Sequence, residues 1–300
     1  MGTAQPLGGV YAAIITPRDG SRRPDAAALQ HIVRFLQDCG IRGFVLNGAT
    51  GEYCLNSPTD LACMLEAVSA ALDPGGQLIC GIGAGDFRGV LENGRAALSG
   101  GACAVLLPMP HFYPYEQHDL RAFCLEAAAC LPLDILLYNL PQFTSRLDAE
   151  TVAALMRSCS RIKGIKDSSG SLDLLRMLTS EIPGAIRLVG SDGALAQALR
   201  EGVCDGVVSG VAGVVPELIL SVFQNEGWRD AATVGALHEL ISHIDALPVP
   251  WGLKCIAEIR GLATARYSLP LSEARARAGE ALRSWFHQSP MVKNSPKIDP

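Results

Sequence analysis

Charge, lysine, paired cysteine and long apolar runs are all scarce in this 300-residue chain. Charged residues make up 18% against 49% hydrophobic, too apolar a balance for a disordered chain, and neither a collagen nor a coiled-coil pattern is present. Lys and Arg number 25 and Asp and Glu 30, a net charge of −5 with no basic stripe to meet a phosphate backbone, so nucleic acid is not an expected partner. No stretch approaches the roughly 18 apolar residues of a membrane span. The opening MGTAQPLGGVYAAIIT lacks a cationic segment, and its apolar run at 10–15 is too short for a secretory signal. A soluble cytoplasmic protein without a membrane partner is expected.

The ten cysteines include no CxxC and no two closer than six residues, which fits neither a zinc site nor a disulfide framework. They read as small hydrophobes in a reducing compartment. The six histidines show no metal-ligand spacing, so neither a metal nor an organic cofactor is expected. Only five of the basic residues are Lys, at 163, 166, 254, 293 and 297. A lysine retained inside an apolar segment of so arginine-rich a chain invites a chemical explanation.

Eight short apolar, β-branched runs recur, at 10–16, 43–47, 78–83, 104–107, 135–139, 162–166, 187–190 and 206–210. Segments with helical periodicity separate them, such as 26–39, with Leu29, Ile32, Val33 and Leu36 on one stripe, and 172–180. Repeated βα units imply a parallel sheet, and eight of them predict a closed (β/α)8 TIM barrel, an α/β fold. An open doubly wound sheet would carry a glycine fingerprint after its first strand. The nearest match here, Gly81-Ile82-Gly83-Ala84-Gly85-Asp86, follows the third strand and ends in Asp. Beyond Ser209 the pattern is helical only, at 215–223, 230–247, 252–262 and 271–286. The expected organisation is a barrel over 1–225 carrying the active site, then a small helical C-terminal extension over 226–300 whose tail from Gln288 is frayed.

Catalytic side chains of such a barrel stand at the C-terminal ends of its strands. Lys166 closes the run Ile162-Lys163-Gly164-Ile165-Lys166, where alternation places it on the face of Ile162 and Gly164, with Lys163 on the other. A lysine desolvated by barrel walls has a lowered pKa and attacks a ketone as the neutral amine; the structural alternative is an ion pair with a neighbouring carboxylate. Gly48-Ala49-Thr50-Gly51 after the second strand offers free backbone N–H groups for a small anion, or else is a glycine-rich turn with Thr50 as a helix cap. Tyr138 ends the strand before that of Lys166, roughly 5 to 7 Å from the amine by inter-strand spacing, and either shuttles protons or fills the barrel top.

These residues lie in motifs that resemble the dihydrodipicolinate synthase and N-acetylneuraminate lyase family of Schiff-base lyases and aldolases, over about residues 8 to 262. The motifs are Thr16-Pro17, Gly48-Ala49-Thr50-Gly51-Glu52, Tyr138-Asn139-Leu140-Pro141 and Gly164-Ile165-Lys166-Asp167-Ser168-Ser169-Gly170. The resemblance implies a homo-oligomer, dimer or tetramer, in which Lys166 forms an imine with pyruvate or another 2-oxo acid. It further implies that Ala49 and Thr50 hold the carboxylate and that Tyr138 moves protons as the C3–C4 bond breaks or forms. Gly48, Asp192, Ser209, Gly210 and Phe143 complete the expected substrate-binding set.

Several positions depart from the family pattern. Phe143, after Gln142, stands where the synthase branch has an Arg for its second substrate's carboxylate. Ala49 replaces a hydroxyl, and Phe112 replaces the Tyr that many members lend to a neighbouring subunit, leaving Tyr113 as a possible relay residue. Asp192 is followed by Gly193 instead of an acidic residue, and Gly210 stands where the sialic acid branch has a small hydroxyl. Gly190-Ser191-Asp192 looks like the sequence of aldolases for 2-keto-3-deoxy sugar acids. The expected activity is a pyruvate-dependent aldolase acting on a 2-oxo-3-deoxy acid; the alternatives are the synthase of lysine biosynthesis, a family dehydratase and a non-catalytic 2-oxo acid binding protein.

Overall fold

The computed structural model describes residues 6–224 and 226–289. Eight parallel strands close into a barrel in sequence order: β1 (Gly9–Ala13), β2 (Gly43–Leu46), β3 (Gln77–Gly81), β4 (Ala104–Pro108), β5 (Asp134–Asn139), β6 (Ile162–Asp167), β7 (Ile186–Val189) and β8 (Gly206–Ser209). Each expected apolar run overlaps one of these strands, with bounds that differ by a few residues. The outer ring consists of α1 (Ala26–Asp38), α2 (Pro58–Ala71), α3 (Phe87–Ser99), α4 (Gln117–Cys130), α5 (Ala149–Ser158), α6 (Asp173–Glu181), α7 (Leu195–Glu201) and α8 (Pro216–Phe223). The chain is a TIM barrel, and α9 (Ala231–Ile244), α10 (Trp251–Ile259) and α11 (Glu273–Gln288) follow it. Of the tail expected to fray, Gln288 ends α11 and Ser289 caps it, whereas 290–300 lie outside the described residues.

The strands are apolar on both faces because both are covered. Inward-pointing Tyr11, Val45, Ile79, Leu106, Leu136, Leu188 and Val208 fill the barrel, and a larger outer cluster joins the opposite face to the helices. Helix starts are set locally. Asp25 accepts from Ala28 N–H at 3.0 Å, and Ser57 with Asp60 closes a reciprocal cap ahead of Pro58. Asp86, which spoils the glycine fingerprint, is the cap of α3, its carboxylate accepting from Gly89 N–H at 2.7 Å.

One expected register is wrong. Ile135 pairs with Ile162 but Leu136 pairs with Gly164, so Lys163 is an extra residue bulged out of β6. The bulge breaks the alternation: Ile162 and Ile165 both join the outer cluster, and Lys166 does not share the face of Ile162. Exposed Lys163 lies 3.9 Å from Asp134, and Lys166 enters the barrel mouth.

The C-terminal helices fold back over the same end. Arg260 at the end of α10 donates to the Val214 carbonyl at 2.6 Å and to Glu217 of α8 at 2.9 Å, while its guanidinium sits 4.9 Å from the Phe35 ring of α1. All ten cysteines are free thiols. Among the described residues no helix is long and apolar enough to cross a membrane.

Candidate active site

Lys166 and Tyr138 are register partners on β6 and β5, which brings the two strand ends together. The Lys166 ammonium lies 4.3 Å from the centre of the Tyr138 ring and donates to the phenol oxygen at 3.1 Å. Both side chains are buried, at 4% and 2% exposure. Among the described residues no carboxylate lies within 4.0 Å of the Lys166 nitrogen, which removes the ion-pair alternative. Gly190, at the end of β7, leaves the space that this lysine occupies. A Cβ there would stand 2.0 Å from Ser168 Oγ and 2.8 Å from Lys166 Cε.

The loop after β2 is fixed from behind. Asn47 and Glu52, at its two ends, adopt left-handed φ values of 57° and 56°, which side chains rarely favour and which therefore need outside support. Asn47 donates to the Gly81 carbonyl at 2.8 Å, and both Thr16 and Asn56 donate to the Gly51 carbonyl, at 2.6 and 2.9 Å. Held this way, Ala49 and Thr50 face the cavity, and among the described residues their peptide N–H groups donate to nothing within the chain. Two free donors beside a hydroxyl and an amine suit a carboxylate.

The cavity measures about 380 Å³ and brings together Ala49, Thr50, Tyr138, Phe143, Lys166, Asp192 and Gly210 of the expected residues. Asp192, in the turn after β7, accepts from Val211 N–H at 3.1 Å through Oδ2, while its buried Oδ1 has no partner. Burial raises the Asp192 carboxyl above its ordinary range; the Ser209 hydroxyl, the Val211 peptide and the Lys166 charge oppose this. Gly210 lies between Thr50 and Asp192: a Cβ there would be in ordinary contact with Thr50 Oγ1 at 3.5 Å and Asp192 Oδ2 at 3.9 Å, and tight only against Leu253 Cδ1 at 3.0 Å.

Three expected residues lie elsewhere. Gly48 is buried behind the loop, its carbonyl accepting from Tyr53 N–H at 3.2 Å. Ser209 is fully buried and does not line the cavity; its hydroxyl accepts from Ala212 N–H at 2.8 Å and supports Asp192. Tyr113 lines a different cavity of about 510 Å³ between the β3 and β4 loops, packed edge-on against Phe112 with ring centres 4.9 Å apart. The shift from Phe112 to Tyr113 does not carry that phenol to the amine, because Phe112 itself takes a left-handed φ of 76° and the loop points both rings outward.

Two groups of residues were not anticipated. Lys254 of α10, 2% exposed, donates to Glu52 Oε2 at 2.6 Å and to the Arg266 carbonyl at 3.0 Å, while Arg18 Nε approaches the same Glu52 oxygen at 3.4 Å. Burial lowers the Lys254 pKa, and Glu52 acts against it. This trio anchors the carboxylate loop to the C-terminal helices, and the signal for it was one of the chain's five lysines lying in an apolar segment. The second group is the wall of Ile241, Ile244, Val249 and Leu253, which only tertiary folding carries to the mouth. On β6, Asp167 is buried, accepts from Asn139 at 2.9 Å and from Ser169 N–H at 3.0 Å, and is raised by burial; it shapes the strand end without lining the cavity.

Comparison with known proteins matches this chain to one family. The pattern described as the Dihydrodipicolinate synthetase family matches residues 6–288. A 4-hydroxy-tetrahydrodipicolinate synthase of Methanopyrus kandleri is 32% identical over 286 residues, 92% of this chain and 94% of the relative. The dihydrodipicolinate synthase of Acinetobacter baumannii, solved in complex with pyruvate, superimposes with a TM-score of 0.85 at 24% identity, covering 98% of this chain and all of that one. The sialic acid aldolase of Ruminococcus gnavus does so with a TM-score of 0.83 at 20% identity, covering 96% and 99%. At these identities the two solved structures are likenesses of fold.

Proposed function

This chain belongs to the dihydrodipicolinate synthetase family and is a carbon–carbon lyase of it, and we propose that it is a class I aldolase that captures pyruvate as an imine on Lys166. The observation that carries this reading is the dry amine of Lys166, 3.1 Å from the Tyr138 phenol and without a carboxylate partner, facing a cavity with unused peptide donors. The pyruvate-bound Acinetobacter structure supports the choice of 2-oxo acid.

In the proposed cycle the peptide N–H groups of Ala49 and Thr50, with the Thr50 hydroxyl, hold the substrate carboxylate. The keto carbon then faces Lys166. The amine adds to it, Tyr138 passes a proton to the departing hydroxyl, and water leaves as the imine forms. In the cleavage direction the protonated imine accepts the electron pair of the C3–C4 bond, the C4 hydroxyl gives up its proton through Tyr138, and an aldehyde departs. Protonation of the resulting enamine and hydrolysis release pyruvate. Asp192, steadied by Ser209, meets the C4 oxygen. Gly210 leaves room for it, and Phe143 bounds the aldehyde half. Tyr113 takes no part within one chain, so the relay rests on Tyr138 and Thr50.

The synthase alternative is disfavoured by Phe143, which supplies no charge for a second carboxylate. We read residues 1–225 as the barrel unit and 226–300 as the helical extension that closes its mouth, in a homo-oligomer. Ten free thiols favour a cytoplasmic setting. Borohydride added with pyruvate should leave an irreversible three-carbon adduct on the Lys166 peptide, absent in Lys166→Ala; an unmodified Lys166 peptide ends this reading.

A further inference from the structure

Among the described residues, the cavity around Lys166 is lined by one cation, Lys166 itself, and two carboxylates, Asp192 and Asp245. Part of its lining is apolar: Phe143 is 58% exposed and Val249 53%, and Leu140, Ile241, Ile244 and Leu253 line the same cavity. Phe143, Leu140, Val249 and Ala49 also line an adjoining cavity of about 290 Å³, together with Leu55 and the more polar Glu52, Tyr53, His111 and Ser268, so the apolar residues of the rim face space beyond that which a three-carbon acid fills. Both volumes sit near the lower end of the range for small-molecule sites.

We propose that the aldehyde half of the substrate is uncharged and apolar, an aryl or branched-alkyl aldehyde seated on Phe143, Leu140 and Val249. This rests on the imine at Lys166. Once the first carboxylate has taken the Ala49 and Thr50 donors and the amine is committed to the keto carbon, the described residues lining the cavity leave no cation for a second carboxylate. Such a group would share the cavity with Asp192 and Asp245 and with its apolar side chains, an unpaired charge removed from water. Hydroxyls that extend beyond C4 onto Phe143, Leu140 and Val249 find no partner on those side chains, and Gln142 Nε2 is already committed to the Ser168 carbonyl at 2.8 Å; the polar side chains left in the lining are Ser168, Ser191, Asp192 and Asp245. An apolar aldehyde places its carbonyl oxygen toward Tyr138 and Asp192 and its body on the rim.

In the synthetic direction C3 of the enamine bonds to the aldehyde carbon, and the aldehyde oxygen takes a proton. Water then hydrolyses the imine to release a 4-hydroxy-2-oxo acid. The water consumed matches the one lost when the imine formed, so pyruvate and aldehyde combine without an oxidant, reductant or further co-reactant.

The test uses the full chain at saturating pyruvate, with product formation measured for benzaldehyde, isobutyraldehyde, D-glyceraldehyde and aspartate semialdehyde, and borohydride trapping run in parallel. The expected result is a kcat/KM for benzaldehyde or isobutyraldehyde at least about tenfold above both polar aldehydes. Phe143→Arg should lower the apolar value and raise that for aspartate semialdehyde, each by about tenfold, whereas Phe143→Leu should keep the apolar preference. Melting curves check that both variants fold, as the exposed position predicts. Preference for either polar aldehyde, or no turnover of an apolar one, overturns this proposal while trapping at Lys166 leaves the aldolase reading standing. Failure of trapping overturns both.

Discussion

Replacing Lys254 by Met tests how the C-terminal helices hold the carboxylate loop. The ammonium is buried, 2.6 Å from Glu52, and the Arg18 Nε at 3.4 Å is the other cation that the structure records on that carboxylate. Removing one partner of a buried pair costs about 3–5 kcal/mol, because the remaining charge stays out of water. With Arg18 still in place, the lower figure of about 3 kcal/mol applies here. At about 2–4 °C per kcal/mol for a chain approaching this size, Tm should fall by about 6–12 °C in a thermal unfolding experiment. Adding Glu52→Gln to Lys254→Met should recover part of the loss, since it removes the stranded charge, and the double-variant cycle gives the coupling directly. Glu52 is two residues from Thr50, so Lys254→Met should also raise the pyruvate concentration for half-maximal trapping by about tenfold or more. A Tm within about 2 °C of the parent, or additive single and double variants, would refute the ion-pair reasoning.

Four further outcomes follow from the geometry. Gly190→Ala places a methyl 2.8 Å from Lys166 Cε and should lower the rate of pyruvate trapping about 100-fold, read by adduct mass against time. Tyr138→Phe should lower kcat for aldehyde release by about 10²- to 10⁴-fold, measured in a coupled aldehyde assay. Burial raises the Asp192 carboxyl above its unfolded value of 3.8, so the native chain holds that proton more tightly; the stability cost is absent below 3.8 and develops as pH rises through the raised value. Asp192→Asn should therefore gain more stability relative to the parent at pH 7 than at pH 3.5 in urea unfolding, although activity falls. Lys163→Ala removes an exposed contact of 3.9 Å and should change stability by less than about 1 kcal/mol and leave trapping intact.

The barrel was legible because each strand is buried on both faces and writes itself as a short apolar run, and because the helices between carry a single stripe. The partnership of Lys166 and Tyr138 was legible for the same reason, as both stand at or next to the ends of such runs on consecutive strands. The bulge at Lys163 was not, since register depends on β5 and leaves no mark on β6 alone. Ser209 stands at a strand end as expected, yet its hydroxyl turns inward to Ala212 and Asp192, a choice made by the fold and not by spacing. The wall from α9 and α10 was invisible because ordinary apolar helix residues look alike whether they face a core or a ligand. Lys254 carried a signal in its rarity, but its partner Glu52 lies 202 residues away.

A crystal soaked in pyruvate tests the imine most directly. Continuous density from Lys166 Nζ to the second carbon of pyruvate is the predicted result, with the carboxylate on the Ala49 and Thr50 peptides. Pyruvate at full occupancy beside an unbonded Lys166 nitrogen would contradict it.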